Sequence, residues 1–239
     1  VARLQFYSDL GAHDREQMLA LGGKVRSFAA NSEIVTAGQP MDAVLVMREG
    51  WAARYKELED GRRQILNILL PGDIFDLQVL VAAEADHSVL AITQGSAYAI
   101  APQAVRDLMS GSGALTMAFW WTQVQEEAFL REQIVRNGRQ SAQERIGHLL
   151  LELHRRAQIV KLAGDDTLRL PMTQTQIADT LGLTPIHTNR VLRRLVSEGY
   201  IEMSRQWIRF LDPDALAAMC DFDPSYFHLD AFRMRLGRG

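Results

Sequence analysis

The chain has 239 residues, a formal net charge of −3 and one cysteine, Cys220. The length fits two small domains with ordinary apolar cores, and one cysteine excludes a disulfide scaffold and a four-cysteine zinc or iron–sulfur site. The charge is uneven: residues 1–138 carry −5, residues 139–211 carry +4 and residues 212–239 carry −2, which points to a basic partner-binding module in the second half.

Val1 to Leu10 lacks the basic-then-apolar order of a signal peptide, and no run of 18 apolar residues suggests a membrane span, so a cytoplasmic protein is expected. Residues 8–21 read as a short helix opening at Ser8 and Asp9. From about 25 to 100 the pattern becomes short apolar runs, such as Ala43 to Met47 and Gln64 to Leu70, separated by turns. Gly38, Gly50, Gly61 and Gly72 are 11 or 12 residues apart, the spacing of an antiparallel barrel or jelly roll. Asp60-Gly61 marks a tight hairpin.

Pro102 opens a helix with Val105, Leu108 and Met109 on one face. Ala114 to Asn137 follows without Gly or Pro and predicts a long helix. Its residues Trp121, Val124, Ala128 and Val135 fit a heptad seam, interrupted by Arg131, for a homodimer through the 114–137 helix. Asn137 and Gly138 are expected to end it as a cap or hinge. Ser141 and Glu144 form a capping box for the next helix, and Leu168 to Leu170 a short strand.

Thr173 and Gln176 make a second capping box, opening a short helix with Ile177, Ala178 and Leu181 inward. Gly182 turns the chain, Thr184 caps the next helix and Pro185 starts it. Thr188, Val191, Leu192 and Leu195 share one face of that helix. Ile186, His187, Asn189, Arg190, Arg193 and Arg194 share the other. Two strands after Gly199 complete a winged helix-turn-helix. Arg190 suits a guanine edge and Asn189 an adenine edge. His187 suits a base or phosphate, and Ile186 a thymine methyl. Arg193 and Arg194 suit phosphates, as do the first amides of the preceding helix at Thr173 and Gln174.

In this order of parts the chain resembles the CRP/FNR family of bacterial transcription regulators over roughly residues 10–215. The most specific matches are Pro71-Gly72-Asp73, Glu144-Arg145-Ile146, and Leu181 to Thr184 through Arg190. The resemblance implies an α+β fold: an N-terminal antiparallel β-roll like a cyclic-nucleotide-binding jelly roll (1–112), a long dimerisation helix and hinge (113–138), a winged helix-turn-helix (139–215) and a C-terminal tail (216–239). It implies transcription regulation by a homodimer on a pseudo-palindromic site in double-stranded DNA, with RNA polymerase a further candidate partner.

The cyclic-nucleotide motif departs. In cyclic-AMP-binding members a glutamate accepts from the ribose and an Arg-Ser pair binds the phosphate. Here those positions hold Leu77 and His87-Ser88, with Asp76 one place earlier. Imidazole lacks the bidentate fork of guanidinium, so cyclic AMP is not the expected effector. The candidate pocket is Asp76, Leu77, His87 and Ser88, facing Gln123, Glu126, Glu127 and Leu130 of the long helix. The family's cysteine cluster is absent. His13, His87, His148 and His154 show no haem or metal spacing, and no cofactor is expected. The catalytic motifs sought, Gly-x-Ser-x-Gly, His-Glu-x-x-His and Gly-x-x-x-x-Gly-Lys, are absent, so an enzyme is not expected. The competing reading is an effector-binding signalling module whose helix-turn-helix contacts protein. Phe222 to Gly239 mixes aromatics with Arg233, Arg235 and Arg238 and has no assigned role.

Overall fold

The computed structural model describes residues 10–229. Ser8, Asp9, Arg233, Arg235 and Arg238 lie outside the described residues. The described chain forms two compact units. One comprises residues 10–54, 69–128 and 225–229, and the other residues 55–68 and 129–224. Among the described residues, no helix is long and apolar enough to cross a membrane.

The first unit opens with α1 (Ala12–Ala20). It continues through β1 (Lys24–Phe28), β2 (Glu33–Val35), β3 (Val44–Glu49) and the start of β4 (Ala52–Glu57). After β5 (Arg63–Leu69) come β6 (Ile74–Phe75), β7 (Ser88–Ala91) and β8 (Gly95–Ile100). An antiparallel sheet runs β1-β8-β3-β6, and β2 pairs antiparallel with β7. Gly38, Gly50, Gly61 and Gly72 all have φ between 77° and 92°. Their spacing marks turns because L side chains rarely adopt that conformation. Asp60-Gly61 closes its turn with Gly61 N donating to Leu58 O at 2.9 Å.

Alternation along β3 divides the core of this unit. Leu45 and Met47 pack with Ala52, Phe75, Val89 and Ala97. Val44, with Val46 beside it, packs with Ile100, Val105, Leu108, Leu115 and Phe119. The last four come from α2 (Pro102–Gly111), which has Pro102 at its first turn, and α3 (Gly113–Arg139).

At 27 residues, α3 is about 40 Å long. It corrects two expectations. Asn137 and Gly138 do not end it: both lie in its last turn, and Gly138 lacks the positive φ of a left-handed cap. The Asn137 amide instead donates to the Thr180 carbonyl at 3.1 Å. The expected seam is only partly turned outward: Val135 is exposed, whereas Trp121 and Val124 are half-buried. Ala128 is 2% exposed, whereas the outward apolar positions include Met117, Trp120, Ile134 and Val135. Heptad spacing alone could not say which of two adjacent stripes the rest of the protomer covers.

The second unit contains α4 (Ala142–Ile159), β9 (Thr167–Arg169), α5 (Gln174–Leu181), α6 (Pro185–Ser197), β10 (Ile201–Ser204), β11 (Trp207–Phe210) and α7 (Pro213–Met219). The predicted Ser141–Glu144 capping box is present. Leu149, Leu150, Leu153, Ile177, Leu181, Leu192, Leu195 and Leu216 are buried.

A charged network is also buried in this unit. Arg136 Nη1 donates to Glu152 Oε2 at 3.1 Å and to His148 Nδ1 at 3.0 Å. Arg156 donates to Asn67 Oδ1 at 3.1 Å and to Ile68 O at 2.6 Å, and its guanidinium lies 4.7 Å from the Phe129 ring centre. His154 is an interior histidine as well: it bonds Gly164 O at 2.9 Å and stacks on Phe210. Cys220 is buried, and burial pushes its thiol up to about 12, which leaves it unreactive. The tail turns back into the first unit, where Phe227 is fully buried and its carbonyl accepts from Gln125 Nε2 at 3.2 Å.

Candidate nucleic-acid interface

Local sequence rules build the helix-turn-helix. Thr173 Oγ1 accepts from Gln176 N at 3.1 Å, and Gln176 Oε1 accepts from Thr173 N at 2.8 Å. This reciprocal cap leaves the amides of Gln174 and its neighbour at the exposed start of α5. Gly182, at φ 64°, ends α5 in the left-handed conformation. Thr184 Oγ1 accepts from His187 N at 3.2 Å, and Pro185 supplies the first turn of α6. Thr188, Val191, Leu192 and Leu195 are buried, with spacing that fixes the rotation of α6 about its axis.

That rotation turns Ile186, Arg190, Arg193 and Arg194 to solvent and leaves His187 and Asn189 half-buried at the edges of the same face. Arg194 Nε donates to Glu198 Oε1 at 2.7 Å, and this bond holds the Glu198 carboxyl below its ordinary range. In the free protein Arg194 is therefore already engaged, and Arg190 and Arg193 carry the outward charge of the face.

The wing is larger than the sequence suggested. β10 and β11 pair with Ser204 opposite Trp207, and β9 adds a third strand to β11 with Arg169 opposite Trp207. Arg205 occupies the turn with φ 52°. Arg169, Arg205 and the exposed Trp207 thus gather at the wing tip. This basic group was missed, although Arg205 between two strand-like runs was a visible signal.

The roll pocket is only partly assembled as expected. Asp76 is buried, and its Oδ1 lies 2.9 Å from His87 Nε2. His87 Nδ1 lies 2.8 Å from Asp86 Oδ1. Ser88 Oγ accepts from Ala37 N at 3.0 Å. Leu77 does not join them: it packs with the Val105 and Phe119 cluster, since the left-handed turn at Asp76 redirects the next residue. On α3, Glu126 pairs with Arg54 of β4, and Leu130 is half-buried. Gln123 and Glu127 are exposed instead.

Arg54 is the residue that sequence reasoning overlooked. Burial lowers its pKa, while Asp76 and Asp86 oppose that shift. An arginine between the buried Ala53 and Tyr55 was its signal. Among the described residues, no group of three or more His, Cys, Asp or Glu is placed to hold a metal ion.

Comparison with known proteins places this geometry. The Crp-like helix-turn-helix domain model matches residues 144–219, and the cyclic nucleotide-binding domain model matches residues 25–112. The nitrogen fixation regulation protein FixK of Rhizobium meliloti is 31% identical over 200 residues, covering 82% of this chain and 87% of that protein. The transcriptional activatory protein AadR of Rhodopseudomonas palustris is 28% identical over 235 residues and 91% of each chain. The structure of FixK2 from Bradyrhizobium japonicum superposes with a TM-score of 0.75 at 27% identity, covering 82% of this chain and 96% of that one.

Proposed function

Because the chain belongs to the CRP/FNR family of transcription regulators, we propose that it reads a pseudo-palindromic DNA site as a homodimer, with one α6 in each of two successive major grooves. It is a DNA-binding regulator and not an enzyme. The observation that carries the finer reading is the outward face of α6, where Ile186, Arg190 and Arg193 are exposed on a helix whose opposite face is locked into the core. Arg190 reads a guanine and Asn189 an adenine, while Arg193 and the start of α5 at Thr173 and Gln174 hold phosphates. Dimerisation through α3 covers Met117, Trp120 and Ile134, apolar side chains that a lone protomer exposes.

Selection of bound fragments from genomic DNA tests this reading. The expected product is two inverted half-sites with centres about 34 Å apart. Affinity should fall with salt at a log–log slope of about −0.9 for each phosphate contacted. Arg190→Ala should cost about 1–3 kcal/mol on the selected site and relax one base position. An equal loss on random DNA would assign Arg190 to phosphate instead. Failure to enrich any sequence would favour protein contact by the helix-turn-helix.

Cyclic AMP is not the effector in this reading. Leu77 and His87 stand where a cyclic-AMP site has its ribose and phosphate ligands, yet Leu77 packs into an apolar cluster and His87 is bonded to Asp76. Calorimetry with cyclic AMP should show no micromolar binding, and a tight isotherm would overturn the assignment.

A further inference from the structure

A cavity of about 280 Å³ lies in the first unit, on the outer side of the β1-β8-β3-β6 sheet. It shares no lining residue with the Asp76, His87 and Arg54 cluster. Met18 and Leu21 wall it from α1 and the turn that follows. Val46, Ile74 and Tyr98 wall it from the sheet, and Phe119 from α3. No charged side chain lines it. Leu19 and Tyr98 belong to the lining yet are 73% and 39% exposed, so the mouth lies between them.

Two observations say that this space is made to be filled. The side chains around it are apolar and uncharged, so they leave the water at its mouth poorly hydrogen-bonded, and an apolar occupant that displaces that water is favoured. Moreover, α1 has no fully buried residue: Met18 packs against the neighbouring core only in part and Leu19 is largely exposed, so the helix covers the cavity incompletely. Apolar cavities of about 150 Å³ stay dry and take up benzene, so one of 280 Å³ accommodates about twelve non-hydrogen atoms. The aromatic ring of Phe119 offers stacking, and Tyr98, whose ring has the Arg48 guanidinium 5.9 Å from its centre, offers a hydroxyl for one hydrogen bond.

We propose that this cavity is a small-molecule site for an uncharged aromatic or aliphatic compound of about that size, whose binding holds α1 against the sheet and braces the start of α3 through Phe119. The site shares no residue with the DNA-reading face, so its failure would leave the function proposed above untouched.

The test uses the full chain with indole and toluene as neutral probes and benzoate as a charged counterpart. Saturation-transfer NMR and thermal unfolding report binding. Indole and toluene should bind saturably and raise the midpoint by about 2–5 °C at ten times Kd, with benzoate at least tenfold weaker. Val46→Phe, which fills the cavity from the sheet, should weaken both neutral probes at least tenfold and leave DNA affinity unchanged. Met18→Trp fills it from α1 and serves if the first variant does not fold. Absence of binding to the full chain, or binding that survives both filled variants, would overturn the proposal. So would binding seen only after residues 1–9 are deleted, since the chain's own start would then be the occupant.

Discussion

Glu152→Gln is expected to lower the stability of the protein by about 3–5 kcal/mol, read as a fall in the urea midpoint at constant slope. Glu152 is 4% exposed and carries the negative charge between two guanidiniums that are as deeply buried. Its Oε2 lies 3.1 Å from Arg136 Nη1, and its Oε1 lies 3.8 Å from Arg156 Nη1. Losing that charge leaves Arg136 without its bonded carboxylate and takes the nearest anion from Arg156, which keeps its bonds to Asn67 and Ile68, and the penalty on the buried cations dominates the lost attraction. Replacing the trio together, as Arg136→Met with Glu152→Leu and Arg156→Leu, should cost less than the single substitution, because no charge is left behind. A single-variant loss below about 1 kcal/mol would mean that water reaches the network and screens it.

The second large effect depends on pH. Burial, and then the neighbouring Arg136 guanidinium, push the His148 imidazole down to about 4. Arg136 donates to Nδ1, so that nitrogen must stay unprotonated for the bond to exist. In the unfolded chain His148 takes a proton near 6.5, while the folded chain resists until about 4. Between those values the unfolded state binds more protons, and stability falls as pH falls. The expected loss from this residue is about 3 kcal/mol between pH 6.5 and 4, with no contribution above pH 6.5. His154 is lowered by burial too, so the curve of His148→Asn must be subtracted from that of the wild type. A difference curve that stays flat below pH 6.5, or an imidazole that titrates near 6.5 by NMR, would refute the buried neutral assignment.

This buried network also shows where the sequence stopped being legible. The helix-turn-helix was readable because its determinants are local. Thr173 and Gln176 cap each other three residues apart, and Thr188, Val191, Leu192 and Leu195 declare their face by spacing alone. The turns of the roll were readable because a backbone φ near 80° selects glycine. Charged pairs between distant elements leave no such pattern. Arg54 meets Glu126 across 72 positions, and Arg156 meets Asn67 across 89. Nothing in either neighbourhood names the partner. The long helix illustrates an intermediate case: its existence followed from the lack of Gly and Pro, but its end did not. The Asn137 side chain found a carbonyl on α5 and left the helix to run on to Arg139. Leu77 shows the limit of motif counting, since one left-handed residue before it sent the side chain into a different cluster.

The interleaving of the two units bears on the order in which the protein can be made. The first unit begins near the start of the chain but also includes residues 225–229, where Phe227 is fully buried and bound by Gln125. The second unit needs residues 55–68 and then waits for 129–224. A ribosome therefore delivers most of the first unit early, yet supplies its last piece only after the whole DNA-reading unit has been synthesised. The first unit is thus begun first and completed last, and a chain cut before residue 225 would leave it without the buried Phe227.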